Sequence, residues 1–118
     1  MDADVRNEQV LSGSTNNKPV PVAAVTLASA TTIHTTGSGI DEVYIWATNT
    51  SQSPAWVTLL WGDVTDPASV IAQKVQIQPN EPPKKLLDGV SLNGTLILKA
   101  YASVASVINL TGYANRIS

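Results

Sequence analysis

TTIHTTGSGIDEVYIWATNT, residues 31–50, reads as a short strand, a glycine turn at Gly37–Gly39 and a second, more hydrophobic strand. The two strands would form a hairpin, with His34 on the polar first strand. In the second strand Val43, Ile45 and Ala47 share one face, while Tyr44 and Trp46 occupy the other. Residues 55–61 repeat the pattern: Trp56, Thr58 and Leu60 oppose Val57, Leu59 and Trp61. A two-layer sandwich buries only one face of each sheet, so the outer apolar residues need a cover. An arm, a loop or a neighbouring subunit would supply it, unless the rings sit at the rim with their stems covered. Large aromatics on two successive strands favour contact with a partner or a second copy.

Working outward, the signals from Val20 onward are β. Stretches rich in β-branched residues alternate with Gly, Pro, Asn, Asp and Ser clusters every 8–12 residues or so. This spacing predicts strands over 20–27, 31–36, 41–49, 55–61, 70–78, 83–87, 95–103 and 106–114. In the fifth, Ile71, Val75 and Ile77 should face the core, with Lys74, Gln76 and Gln78 in solvent. The best helical candidate, DPASVIAQKV from Asp66, is too rich in Val and Ile to displace a strand. Residues 1–18 lack any period, and Pro19 and Pro21 mark entry into the body. The expected architecture is one all-β domain, an antiparallel β-sandwich of jelly-roll or Ig-like type with about eight strands over 19–118. An extended N-terminal arm, 1–18, precedes it and is ordered by binding.

Composition narrows the function classes. Among 118 residues 43% are hydrophobic and only 14% charged, with no Phe and no Cys. A net charge of −2 without a basic stripe argues against nucleic acid. The absence of Cys removes disulfides, thiolate catalysis and Cys-ligated zinc. MDADVRNEQVLSG does not read as a secretory signal, and no run approaches the ~18 apolar residues of a membrane span. Synthesis in a cytoplasm is the expectation.

Catalytic chemistry is sparse. His34 stands alone, with no G-x-S-x-G nucleophile elbow and no second imidazole or thiolate to complete a metal site. It reads as a surface or hydrogen-bonded structural residue. Asp41 and Glu42 are adjacent on a strand and point to opposite faces, which is wrong for paired-carboxylate catalysis. Asp63 and Asp66 lack the oxygen spacing of a calcium loop and suit turns and caps. Asp88, before Gly89, and Asn93–Gly94 read as turn formers. Gly37 and Gly39 lie between strands, so they are no phosphate cradle. Lys84–Lys85 after a Pro pair suits a blunted edge strand. The sequons at Asn49, Asn93 and Asn109 are read as accidental. No catalytic residue, cofactor or metal is expected, and the chain is not expected to be an enzyme.

The succession LSGSTNNKPVPVAA, TTIHTTGSGIDEVYIWATNTS, WVTLLWG, LLDGVSLNGTLILKAYAS and VINLTGYANRI, across residues 11–118, resembles small virion proteins of tailed bacteriophages. The shared motifs are strand and turn signatures. The resemblance implies a capsid decoration (cement) protein: a homotrimeric sandwich on the capsid surface, made in the host bacterial cytoplasm. Its partner would be the major capsid protein, with no nucleic acid and no membrane. Val5, Val10 and Leu11 are the expected arm anchors, and Tyr44, Trp46, Trp56 and Trp61 the interface aromatics. The alternative is a tail, neck or fibre module binding a carbohydrate or receptor, with Trp46 or Trp61 stacking a sugar beside Asp63 and Asp66.

Overall fold

The computed structural model describes residues 6–62 and 69–117, so Val5, Asp63 and Asp66 lie outside the described residues. Among those described are nine strands: β1 Arg6–Val10, β2 Val20–Pro21, β3 Thr31–Thr35, β4 Ile40–Asn49, β5 Ala55–Trp61, β6 Val70–Ile77, β7 Lys84–Asn93, β8 Ile97–Ala102 and β9 Ile108–Ile117. The all-β expectation holds, as two antiparallel sheets packed as a sandwich.

The pairing is nested. β5 pairs β6, β4 pairs β7, β3 pairs β8 and β2 pairs β9, like successive rungs of one long hairpin. Lateral pairing of β4 with β9 and of β5 with β8 gathers the rungs into two sheets. Sheet A runs β7-β4-β9, with β1 and β2 placed end to end along the far edge of β9. Sheet B runs β3-β8-β5-β6.

This order corrects the hairpin reading of residues 31–50. β3 belongs to sheet B and β4 to sheet A, so the Gly37–Gly39 segment carries the chain from one sheet to the other. Turn residues report that the chain changes direction, and a sandwich accepts that change within a sheet or between sheets.

The core is the space between the sheets. From sheet A come Val43, Ile45 and Ala47 of β4, Ile108, Leu110 and Ala114 of β9, and Leu87 and Leu92 of β7. Sheet B contributes Ile33, Val57, Leu59, Leu98, Ala100 and Ala102. In β4 and β8 burial alternates residue by residue, as the pleat requires, and in β9 the buried residues Ile108, Leu110 and Ala114 share one face.

Bulges account for most departures from the sequence expectations. β3 slips register between Thr32 and His34, so both Ile33 and His34 are buried. β6 slips at Gln73–Lys74, where Lys74 has φ +46°, and Ile71 is left 39% exposed instead of facing the core. The Lys74 N–H donates to Thr58 Oγ1 at 2.9 Å, and Thr58 and Leu60 are buried on the outer side of β5. Asp88–Gly89 is no turn but a bulge within β7, which continues to Asn93 rather than ending at 87. β2 is short: after Pro21 the chain leaves the ladder and runs between the sheets, Val22 N–H bonding to Ile108 O and Ala102 N–H to Ala24 O.

The N-terminal expectation changes too. Arg6–Val10 forms the edge of sheet A against β9. Leu11, expected to anchor a partner, is 1% exposed in the chain's own core. Trp61 likewise packs against that core and does not form an outer aromatic. Residues 6–11 are thus attached to the body, and the expected boundary at 18 does not separate two units there.

Candidate interface and buried polar cluster

Two aromatic groups lie outside the core, on opposite faces of the molecule. On the outer face of sheet A, Tyr44 and Trp46 of β4 meet Tyr113 of β9. Tyr44 and Tyr113 are register partners, and their rings stack at 4.8 Å between centroids. Trp46 stands 6.5 Å from Tyr44 and 6.2 Å from Tyr113, within 26° of parallel to both. Lys85 of β7, opposite Trp46, places its ammonium 5.0 Å over the indole, a cation–π contact. All three rings are partly buried by one another and by the sheet. Val10, beside Tyr113 on β1, extends the patch and is 53% exposed.

Gly89 makes room for this group. Its φ is +76°, and a Cβ there would sit 3.0 Å from the Tyr44 hydroxyl oxygen. Gly89→Ala should therefore cost about 1–2 kcal/mol through backbone strain and tilt the Tyr44 ring. Chemical denaturation and near-ultraviolet circular dichroism would register the two effects separately.

Trp56 lies on the outer face of sheet B, edge-on to Tyr101 at 5.7 Å with the Lys74 ammonium 5.3 Å over its ring. The sandwich therefore separates Trp56 from Tyr44 and Trp46, and one flat partner surface cannot touch both groups. Tyr113 and Lys85 are members of the sheet A group that sequence reading missed as such. Alternation along 106–114 offered a signal for Tyr113, but nothing local pairs Lys85 with Trp46.

The second feature is polar and internal. His34, 1% exposed, reaches across from sheet B to Asp41 of sheet A, which is fully buried. His34 Nε2 and Asp41 Oδ2 are 2.9 Å apart. Arg116, the register partner of Asp41 on β9, donates from Nε to Oδ1 at 2.9 Å and from Nη2 to Oδ2 at 3.0 Å, a bidentate grip. The Ser12 N–H donates to His34 Nδ1 at 3.0 Å. Nδ1 is consequently the acceptor nitrogen, and the ring proton sits on Nε2, pointing at Asp41. The Arg116 hydrogen bonds hold the Asp41 carboxyl below its ordinary value; burial opposes them and the His34 bond assists. Asp41 in turn raises the Arg116 guanidinium.

Chemically the cluster is closed. Both imidazole nitrogens are engaged within the chain and the ring is only 1% exposed, so a substrate has no access to it. Asp41 faces inward and the adjacent Glu42 is partly exposed, as alternation indicated. Among the described residues no group of three His, Cys, Asp or Glu is arranged to hold a metal. The Asn49 sequon is occupied internally: its amide donates to Ser53 O at 2.8 Å and Ile77 O at 2.9 Å, and its oxygen accepts from Ser51 N–H at 2.8 Å. Searches against protein-family models, curated proteins and solved structures found no match to this chain.

Proposed function

We propose that the chain is a non-enzymatic structural subunit of a tailed-phage virion, a capsid decoration protein that binds the major capsid protein and stabilises the head. The observation that carries this reading is the aromatic patch on sheet A. Tyr44, Trp46 and Tyr113 form a stacked group at the middle of an outer sheet face, with Val10 exposed beside them. Half-exposed aromatics held in place by their neighbours in this way are what protein interfaces use as anchors. Their faces are turned toward one another and, at Trp46, toward Lys85. A sugar-binding platform needs an open ring face, so the arrangement favours a protein partner over the carbohydrate alternative. The resemblance of residues 11–118 to phage virion proteins supplies the partner class and the trimeric state.

The nested pairing β2–β9, β3–β8, β4–β7 and β5–β6 supports a jelly roll over an Ig-like order, and jelly rolls serve viral capsid domains. The mechanism is added contact area. A subunit docked across a joint between capsid proteins, burying on the order of 1,000 Å² or more, raises the work needed to part them.

The test is co-sedimentation of the purified chain with capsids that lack it, over a range of concentrations. Replacing Trp46 and Tyr113 together by Ala should weaken retention by about tenfold to a hundredfold. Trp56→Ala, on the opposite face, should leave retention unchanged. A chain that never sediments with capsids, or a double variant retained like the wild type, would sink the proposal.

A further inference from the structure

The only histidine is also the seam between the N-terminal segment and the body. After β1 the chain drops Leu11 into the core and runs against β3 of the other sheet. Three bonds hold it there: Gly13 N–H to Ile33 O at 2.9 Å, Thr35 N–H to Ser12 Oγ at 2.6 Å, and Ser12 N–H to His34 Nδ1 at 3.0 Å. This strap ties sheet A, through β1, to sheet B.

The two ring nitrogens have separate tasks. Nε2 carries the proton and faces Asp41; Nδ1 offers its lone pair to the strap. A second proton can enter only at Nδ1, because Nε2 already has one. There it meets the Ser12 N–H, and a donor then faces a donor. The bond to Asp41 persists and gains charge. The charged groups facing the ring are Asp41 from β4 and, on the far side of that carboxylate, Arg116 from β9. β8 opposes His34 with Leu98, and the strap presents the uncharged Ser12. Protonation therefore acts at one contact only.

We propose that His34 is a proton-sensitive latch on the N-terminal strap: protonation of the ring releases Ser12 and loosens residues 12–14 from β3, while β1 stays paired with β9 and Leu11 stays in the core. Imidazole is the side chain suited to act between about pH 5 and 8. The latch concerns this chain alone and does not depend on the virion reading.

Hydrogen exchange of the full chain, followed by mass spectrometry at about pH 5.5 and pH 7.5 and corrected for intrinsic rates, tests the latch. The amides of residues 12–14 should lose protection by about tenfold or more at the lower pH, while β1, β4 and β9 keep theirs. His34→Asn puts a carbonyl oxygen near the place of Nδ1 without a titrating group, so the strap should stay protected at both values. His34→Gln reaches Asp41 with its amide but leaves Ser12 without an acceptor, so the strap should be unprotected at both. Equal strap protection in the wild type at the two pH values overturns the proposal, as does loss spread evenly over β4 and β9. Should the variants not fold, the imidazole ¹⁵N resonances of the wild type decide: a proton on Nδ1 at neutral pH is equally fatal.

Discussion

Asp41→Ala is expected to lower stability by about 3 kcal/mol, a large share of the 5–15 kcal/mol or so that holds a typical domain together. The carboxylate is the sole acceptor shown for the His34 Nε2 proton and the hub for Arg116. Without it, Arg116, whose side chain is 34% exposed, turns to water. His34 is sealed in and has no such route, so its donor stays buried and unsatisfied. Urea denaturation would measure the loss. Replacing His34 as well should cost much less than the sum of the two single changes, because the second substitution removes the orphaned donor. The wild type should also show a specific acid dependence. The Asp41 carboxyl is depressed below its ordinary 3.8 in the folded chain. Its contribution is therefore complete above about pH 3.8 and declines as pH falls through the lower native value. In Asp41→Ala this component of the acid dependence should be missing.

Gly112→Ala should be at least as damaging, at about 3 kcal/mol or more. Gly112 lies in the middle of β9, opposite Ile45 of β4, and a Cβ built there would land on the Tyr44 carbonyl. Backbone is in the way, so no rotamer change relieves the clash. β9 must move away from β4, and that movement separates Tyr44 from Tyr113. The expected result is a lower thermal midpoint together with loss of the aromatic near-ultraviolet signal. An unchanged midpoint would mean that the approach of β4 and β9 is looser than described.

How much of this could be read from the chain follows the physics of each element. Alternation identified the core face of β4 and of β8, and it set Asp41 and Glu42 on opposite sides, because an unbroken pleat has period two. It failed wherever a residue was inserted into a strand. Ile33 and His34 both point inward across one bulge, and Ile71 is turned out beyond another. Asp88–Gly89 carries the same left-handed signal in a bulge as in a turn, and only the pairing of β7 with β4 distinguishes them. The aromatic patch was half legible: Tyr44 and Trp46 stood out on an outer face, while Tyr113 and Lys85 join them only through strand order. Arg116 was invisible as the partner of Asp41, since 75 positions separate them and register alone makes them neighbours. Leu11 and Trp61 were misassigned for a common reason, that an apolar residue near a strand end serves the chain's own core as readily as a partner.

The nested pairing also sets an order of events for a chain emerging from the ribosome. Among the described strands only β5 and β6 pair as chain neighbours; each enclosing rung must wait for a strand made much later. Sheet A waits longest, for β9 is the centre to which β1, β2 and β4 all attach, and it follows every one of them in the chain. Until Ile108–Ile117 has been synthesised, Leu11 and the aromatic face of β4 have no settled place, and the growing chain carries that apolar surface unprotected. Synthesis of β9, more than collapse of the earlier strands, is the step on which burial of that surface depends.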